Sequence, residues 1–322
     1  MDENDWLADV YEQLVAMEDK DVPRIVIEGA SVRLQRNKIL VYHYRRGGHT
    51  EIYDWSVIPP RITVGPDVSI PRIFQTMVTL PNGHVAIIGG MSFEKFERLA
   101  QCEVFKPARS IFFSVGDMCQ ARERAAAVLL RNNFVLVCGG AGGGARTPHL
   151  RSCELYDPST RYFVISKATM RARRAGHTAT LLPDGTVLVA GGVTEDYAVH
   201  DSTEIYDPQS DSFSDGPHML FERAHHKAVA LEDGRVFMCE ADDVKTELYH
   251  PTTRSFSPGP DMLTVRYTVV AFLLPDGRVL ITGSEDASSP RNNKTEIFDP
   301  VTNRITAGPE ITGTTKHEAV LF

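Results

Sequence analysis

The sequence contains no long apolar run, and residues 1–20 are rich in acidic side chains. A membrane-spanning helix needs about 20 consecutive, mostly apolar residues. A secretory leader starts with a basic segment that precedes an apolar one. Neither pattern occurs, so the sequence predicts a cytoplasmic protein without a membrane partner.

An excess of basic charge is also missing, since the 322 residues carry a formal net charge of -8. Proteins that bind nucleic acid usually present a basic stripe of lysine and arginine, so we expect no nucleic-acid partner. Hydrophobic residues make up 42% of the chain and charged residues 24%. This composition is typical of a globular protein with a large core, and we expect it to be a monomer.

Cysteine is sparse, and its spacing does not suggest pairing. The five cysteines are an odd number and include no CxxC motif, which argues against a disulfide framework and against a zinc site. The run 135–145, VLVCGGAGGGA, has the letters of a dinucleotide loop, but the helix that such a site requires is not predicted after it. We therefore predict reduced cysteines, no metal and no cofactor.

What the sequence does contain is an internal repeat. Residues 176–192, GHTATLLPDGTVLVAGG, hold two apolar runs joined by a PDG turn, and each related stretch is followed by a segment of the type TEIYD. The glutamate of that segment recurs at intervals of roughly 43 to 52 residues, a period typical of propeller blades. The six glutamates are Glu51, Glu103, Glu154, Glu204, Glu247 and Glu296.

Each unit predicts four strands, because its apolar runs are short, rich in β-branched residues and separated by turn residues. Four antiparallel strands repeated six times predict an all-β, six-bladed propeller. In the fourth unit we place the strands at about 177–182, 186–190, 202–206 and 211–215.

The glycine pair after an apolar strand, followed by E-[hydrophobic]-[YF]-D-P and then GPxM, resembles the kelch repeat of the galactose oxidase-like propellers. The resemblance covers roughly residues 26 to 322. It departs from the kelch pattern at the fourth strand, where Phe213, Phe256 or Ile305 replaces the common tryptophan. The resemblance implies a kelch-type β-propeller of four-stranded antiparallel blades.

The two ends of the chain raise separate questions. Residues 1–23 show apolar residues at helical spacing and predict a short N-terminal helix, which either caps the propeller, as we favour, or docks on a partner. Residues 313–322 match a first strand. They either close a six-bladed ring, as we favour, or begin a missing seventh unit. The propeller units are placed at about 24–70, 71–119, 120–170, 171–220, 221–263 and 264–312.

An arginine also recurs, four residues after Val68 or a repeated methionine. The first and third strands of an antiparallel blade begin at the same end, so this arginine can meet the repeated glutamate. Because buried charges are usually paired, we interpret the two series as structural ion pairs and not as catalytic groups. The arginines are Arg72, Arg122, Arg174, Arg223 and Arg266.

Glycine pairs and histidines mark the same end of the units. The pairs that end second strands, such as Gly139-Gly140, are predicted to relieve crowding between blades. His177, His226 and His317 open first strands. A three-histidine metal site is one interpretation, but the carboxylate spacing of such sites is missing, and we favour a structural role.

Loops between second and third strands share a face with the linkers between units, and binding sites are often built on such loops. The third unit makes this face basic and the fourth makes it acidic. A solvated surface of mixed charge is the plain alternative to a bipolar site for a protein or an acidic peptide. The candidate partner-binding residues are Arg146, Arg151, Arg171, Arg173, Glu195, Asp196, Tyr197 and His200.

The sequence thus predicts a non-catalytic, kelch-type scaffold or adaptor with no catalytic residue. The resemblance implies a role in substrate recognition for a ubiquitin ligase, although the chain has no room for a BTB or F-box module and the N-terminal helix would have to recruit it. The alternative is a galactose oxidase-like or sugar-processing enzyme that uses the propeller face.

Overall fold

The computed structural model describes residues 31–35, 38–43, 49–54, 61–92, 94–142, 149–194, 196, 198–240, 243–266, 269–274, 276–283 and 294–308. The predicted N-terminal helix and the predicted closing strand lie outside these ranges. Among the described residues, no helix is long and apolar enough to cross a membrane.

The described residues form six four-stranded antiparallel sheets. We name them blades 1 to 6 in chain order. Blade 1 holds β1 (Ser31–Gln35), β2 (Lys38–His43), β3 (His49–Asp54) and β4 (Arg61–Val64). Blade 2 holds β6 (Thr76–Thr79), β7 (Val85–Ile88), β9 (Cys102–Lys106) and β10 (Ile111–Ser114). Blade 3 holds β12 (Ala126–Leu129), β13 (Val135–Cys138), β15 (Ser152–Asp157) and β16 (Tyr162–Thr169).

The second half of the chain repeats this order. Blade 4 holds β17 (Thr178–Leu181), β18 (Val187–Ala190), β19 (Thr203–Asp207) and β20 (Ser212–Asp215). Blade 5 holds β21 (Lys227–Ala230), β22 (Val236–Cys239), β23 (Glu247–His250) and β24 (Ser255–Pro258). Blade 6 holds β25 (Val270–Leu273), β26 (Val279–Thr282), β27 (Glu296–Asp299) and β28 (Arg304–Ala307).

Short elements accompany blades 2 and 3. The strand β5 (Arg72–Ile73) pairs with β8 (Met91–Ser92), and β11 (Arg122–Glu123) pairs with β14 (Ala141–Gly142). A 3-10 helix at Pro107–Arg109 joins the last two strands of blade 2. No α-helix occurs in the described part of the chain.

The inner hairpin of blade 4 shows how the repeat specifies these strands. The amide of Leu182 donates to the carbonyl of Thr186 at 2.8 Å, and the amide of Gly185 donates back to Leu182 at 2.9 Å. Asp184 accepts the Thr186 amide at 2.9 Å through its own side chain, as turn aspartates commonly do. The four strands predicted for this unit agree with β17 to β20 to within about one residue at each end.

The blades are arranged radially, because the first strands of successive blades contact one another in the order β1, β6, β12, β17, β21 and β25. All four residues of each second strand in blades 2 to 6 are buried, and apolar side chains of neighbouring blades pack together. A second strand covered on both faces explains the unbroken apolar runs of the repeat. The predicted all-β propeller of four-stranded antiparallel blades is confirmed.

The predicted arginine–glutamate pairs are also confirmed in blades 2 to 6. Every arginine is at most 1% exposed and every glutamate at most 3%. The nitrogen–oxygen distances lie between 2.5 and 3.2 Å. The pairs are Arg72–Glu103, Arg122–Glu154, Arg174–Glu204, Arg223–Glu247 and Arg266–Glu296.

Each arginine joins three parts of its blade, as Arg174 shows in blade 4. Its Nη1 donates to the carbonyl of Gly191, where the second strand ends, at 2.8 Å, and to the carbonyl of Ser202, before the third strand, at 2.9 Å. Its Nε bonds Glu204 at 3.2 Å, and Glu204 accepts the backbone amide of Arg171 in the linker at 2.7 Å. The ion pair therefore holds the linker, the second strand and the third strand together.

Crowding explains the glycine at the end of a second strand, as predicted. A Cβ on Gly139 would lie 2.6 Å from the carbonyl oxygen of Arg174 in the next blade, and the φ of Gly139 is +61°. Gly140 donates its amide to the same oxygen at 2.7 Å. The glycine pair is therefore a contact between blades as well as the end of a strand.

We predict that Arg174→Ala lowers the free energy of unfolding by about 3 to 5 kcal/mol, because it leaves Glu204 buried without its charge partner. Arg171→Ala is the matched control, since Arg171 pairs with Asp215 while 67% exposed; its cost is expected to stay below about 1 kcal/mol. Urea denaturation measures both. Equal costs for the two variants would show that the buried pair has no special importance.

Candidate functional site

Four equivalent residues, one from each of blades 2 to 5, have a left-handed backbone. Their φ angles are 58° at Phe74, 52° at Arg124, 67° at Gly176 and 57° at His225. Each stands two residues after the arginine of its blade's buried ion pair. A positive φ is uncommon for residues other than glycine and is concentrated at functional sites.

Backbone hydrogen bonds join these four residues into an arc along the starts of the first strands. The amide of Arg124 donates to the carbonyl of Phe74 at 2.9 Å, and the amide of Gly176 donates to Arg124 at 2.9 Å. The amide of His225 donates to Gly176 at 2.7 Å. We call Phe74, Arg124, Gly176 and His225 the axial arc, since it follows the ring of inner strands.

The side chains of the axial arc lie against one another. The guanidinium carbon of Arg124 is 4.1 Å from the ring centroid of Phe74, which is 42% exposed. A Cβ on Gly176 would lie 2.5 Å from Cε1 of His225, so the imidazole lies directly over this glycine. Burial, helped by the charges of Arg124 and Lys227, lowers the pKa of His225. The arc thus offers an aromatic ring, a cation and a neutral imidazole.

Buried polar atoms without partners gather at this end of the first strands. Among the described residues, Nε of Arg124, Oε1 of Gln75, Nδ1 of His177 and Nδ1 of His226 have no hydrogen-bond partner. Gln75, His177 and His226 hold the same position in their blades, one residue after the axial arc. Buried polar groups are normally paired with protein, water or ligand, so this region has unused capacity for hydrogen bonding.

The two described histidines also make contacts between blades, which agrees with the structural role predicted for them. Nε2 of His226 is 2.9 Å from Oγ1 of Thr178 in the preceding blade, and Nε2 of His177 is 3.4 Å from Sγ of Cys138. His317 lies outside the described residues. The interpretation of these residues as a three-histidine metal site therefore has no structural counterpart within the described ranges.

Cys138 stands directly opposite Cys153 in the register of β13 and β15, and both are fully buried. A hydrogen bond from Cys153 and the proximity of His177 lower the pKa of Cys138. All five cysteines are free. Nevertheless, within the described ranges no three His, Cys, Asp or Glu side chains are placed to hold a metal ion.

Two of the arginines predicted to bind a partner have partners within the chain. Arg171 pairs with Asp215, and Nη1 of Arg173 donates to the carbonyl of His149 at 2.8 Å. Arg151 and Asp196 are exposed. Arg171 and Arg173 are therefore less available to an acidic peptide than a free arginine would be.

His200 is half-buried, and its Nε2 has no partner within the described ranges. Burial, followed by the charge of Arg174, lowers its pKa. The remaining candidates, Arg146, Glu195 and Tyr197, lie outside the described residues. The predicted partner site stays a prediction.

The axial arc was not predicted from the sequence, although the repeat contains a signal for it. The position two residues after each repeated arginine differs from unit to unit, whereas the sequence around it repeats. The residues at this position are Phe74, Arg124, Gly176 and His225. A variable position inside a fixed register is typical of a site built on a common scaffold.

Comparisons with known proteins agree with this architecture. No family model matches the chain. A stretch of 70 residues, 20% of the chain, is 37% identical to galactose oxidase of Gibberella zeae, of which the match spans 10%. The structure of YjhT superimposes with a TM-score of 0.73 at 12% identity and covers 90% of this chain and 99% of that one.

A second solved structure is a fungal alcohol oxidase of the AA5 family in complex with copper. It superimposes with a TM-score of 0.69 at 16% identity and covers 91% of this chain and 67% of that one. The fold is a β-propeller that resembles these two structures. The resemblance inferred from the repeat is thereby confirmed, and at these identities the solved structures show the fold alone.

Copper in that oxidase raises the question whether this propeller could hold the metal. His177 and His226 are two possible donors, but each imidazole is engaged by one nitrogen in a separate contact between blades. No group of three His, Cys, Asp or Glu side chains suited to a metal ion occurs within the described residues. These side chains do not fit a copper site, and no step through copper follows from them.

We predict that His226 makes the propeller less stable as the pH falls from 6.5 to 5. Burial lowers the pKa of His226 to about 3, below the value near 6.5 of an unfolded histidine, so in this range the unfolded chain binds a proton that the folded chain does not. Each pH unit then removes up to about 1.4 kcal/mol.

Urea denaturation at several pH values measures this effect. His226→Gln is expected to flatten the slope between pH 6.5 and 5, whereas His218→Gln, which changes a 71% exposed histidine, is expected to leave it unchanged. The same slope in wild type and His226→Gln would mean that His226 is not the group responsible.

Proposed function

We propose that the protein binds a sugar over the axial arc and is an enzyme of the sugar-processing type. The observation that carries this proposal is the arc itself, in which blades 2, 3 and 5 place Phe74, Arg124 and His225 on a strained backbone. Each such residue costs about 1 to 3 kcal/mol, and strain of this kind persists where the surrounding structure enforces it, often at binding sites.

The chemistry of the axial arc suits a ligand rich in hydroxyl groups. The guanidinium of Arg124 offers several donors in a fixed plane and matches a carboxylate or two neighbouring oxygens. A neutral His225 both donates and accepts hydrogen bonds, and the lowered pKa favours this neutral form at pH 7. Phe74 adds an apolar surface, and a few polar groups beside an apolar one are typical of small-molecule sites.

The comparisons with known proteins also support a sugar-processing function. One relative is named a galactose oxidase and one structural neighbour an alcohol oxidase, so both names refer to hydroxyl-bearing compounds. Because the galactose oxidase match spans 10% of that protein, neither its reaction nor its copper is carried over. Galactose and its acid, galacturonate, are the natural first probes.

The adaptor predicted from the sequence has less support, since Arg171 and Arg173 are engaged within the chain and the named relatives are oxidases. The scaffold that we infer is a closed ring of six blades. Six four-stranded sheets and the serial contacts of their first strands support this ring.

We predict that the protein binds D-galacturonate by calorimetry and that Arg124→Ala weakens this binding by about tenfold or more, since a charge-assisted hydrogen bond contributes about 1.5 to 3 kcal/mol. Arg171→Ala is the matched control, an exposed arginine outside the axial arc, and is expected to leave the affinity unchanged. Neutral D-galactose should depend less on Arg124 than the acid does.

Proton NMR spectra of both sugars after incubation with the protein reveal any chemical conversion. Failure of the wild-type protein to bind either sugar would contradict the proposed function. Equal losses from Arg124→Ala and Arg171→Ala would contradict the placement of the site on the axial arc.

A further inference from the structure

Glu240 interrupts the repeat at a position where blades 2, 3, 4 and 6 have glycine. The residue after the second strand is Gly89, Gly139, Gly191 or Gly283 in blades 2, 3, 4 and 6. In blade 5 the second strand ends at Cys239 and the next residue is Glu240. Blade 5 therefore carries an additional carboxylate at a position that its neighbours leave without a side chain.

This substitution changes what the buried arginine binds. In the four glycine blades the arginine Nη1 donates to the carbonyl oxygen of that glycine at 2.8 to 3.2 Å. In blade 5, Nη1 of Arg223 instead lies 2.9 Å from Oε1 of Glu240. This contact is an ion pair whose angle falls short of a hydrogen bond. A side-chain carboxylate has thus taken the place of a backbone carbonyl.

The guanidinium of Arg223 thus contacts two carboxylates, those of Glu240 and Glu247, since its Nε also bonds Glu247 at 2.5 Å. Arg223 and Glu247 are completely buried, whereas the side chain of Glu240 is 14% exposed. The charged groups that act on Glu240 are Arg223 from the linker, Asp243 from the loop and Glu247 from β23. The cluster contains three acids and one base, so it is short of positive charge.

The physical consequence is that Glu240 readily holds a proton. Burial, assisted by Asp243 and Glu247, raises its pKa to about 7, although Arg223 and the amide of Ala224 act in the opposite direction. A carboxyl poised near neutral pH is suited to exchanging protons with a ligand. The partly exposed side chain leaves solvent and ligands access to it.

The position of Glu240 connects it with the axial arc. Nη1 of Arg223 lies 2.9 Å from the Glu240 carboxylate, and Arg223 is separated from the arc residue His225 only by Ala224. The carboxyl group is therefore paired with the backbone segment that presents the imidazole. Blades 2, 3, 4 and 6 have glycine at this position.

We propose that Glu240 is the proton-exchanging residue of the sugar site and donates a hydrogen bond from its protonated carboxyl to an oxygen of the bound sugar. This inference rests on the proposed function. When an acidic sugar binds above the pKa of the free carboxyl, one proton moves from solvent to Glu240, and the same proton returns to solvent when the sugar leaves. In the ionised form, Glu240 repels the ligand's carboxylate.

Two variants test the proposal. Glu240→Gln keeps the shape and cannot ionise, and Glu240→Gly restores the residue of the other blades, so it is suited to the local backbone. In the ligand-free protein, carbon-13 NMR of labelled glutamate is expected to show one carboxyl that titrates near pH 7 and is missing from both variants. A Glu240 that titrates near pH 4.5 would overturn the proposal.

Calorimetry with D-galacturonate between pH 6 and 8, in buffers of different ionisation enthalpy, then measures the proton linkage. The wild-type dissociation constant is expected to rise up to tenfold per pH unit above the pKa, with uptake of up to one proton on binding. Glu240→Gln should show neither effect, and Glu240→Gly should bind the sugar more weakly because it lacks the donor. D-Galactose is the neutral control and should show a smaller pH dependence.

The outcomes separate this proposal from the proposed function. Failure of wild-type protein to bind either sugar overturns both. Sugar binding with the same affinity and pH profile in wild type and both variants overturns only the assignment of Glu240. A purely structural Glu240 would change the stability of the variants but not the proton count on binding.

Discussion

A buried arginine held by a buried glutamate is the contact on which the rest of the propeller depends. In five blades it ties the incoming linker to the end of the second strand and the start of the third. Both charged groups of such a pair lose their hydration on burial. Further hydrogen bonds must therefore satisfy their remaining donors and acceptors. Backbone carbonyls and amides supply them, as around Arg174 and Glu204. The charge pair thus determines the path of the backbone.

The axial arc follows from this constraint. Once the arginine is anchored, the chain has two residues in which to turn into the first strand, and it does so through a left-handed conformation. The hydrogen bonds between Phe74, Arg124, Gly176 and His225 then connect blade to blade. The strain at the arc is therefore sustained by the ion pairs behind it, and the exposed side chains remain available for other uses.

The parts that sequence reasoning could predict are those that repeat. Short apolar runs, the PDG turns and the spacing of Arg174 and Glu204 specify strands, blades and ion pairs, because each rests on local propensity or on the rule that buried charges are paired. The axial arc was not predictable in the same way. Nothing in the letters of Phe74 or His225 indicates a positive φ, which arises from contacts between blades far apart in sequence. The ion pair of Arg171 could not be predicted from the sequence either, since its partner Asp215 is seen only in three dimensions.

The separation of scaffold from arc has an evolutionary consequence. The hydrogen bonds that join the arc run between backbone atoms, so they do not depend on which side chain stands at each position, and each arc residue belongs to a different blade. One substitution at one position can therefore alter the chemistry of the axial arc while these backbone hydrogen bonds remain. Duplication of blades followed by independent substitution at this position would produce many different binding surfaces on one architecture. The hypervariable loops of antibodies do the same on the immunoglobulin fold.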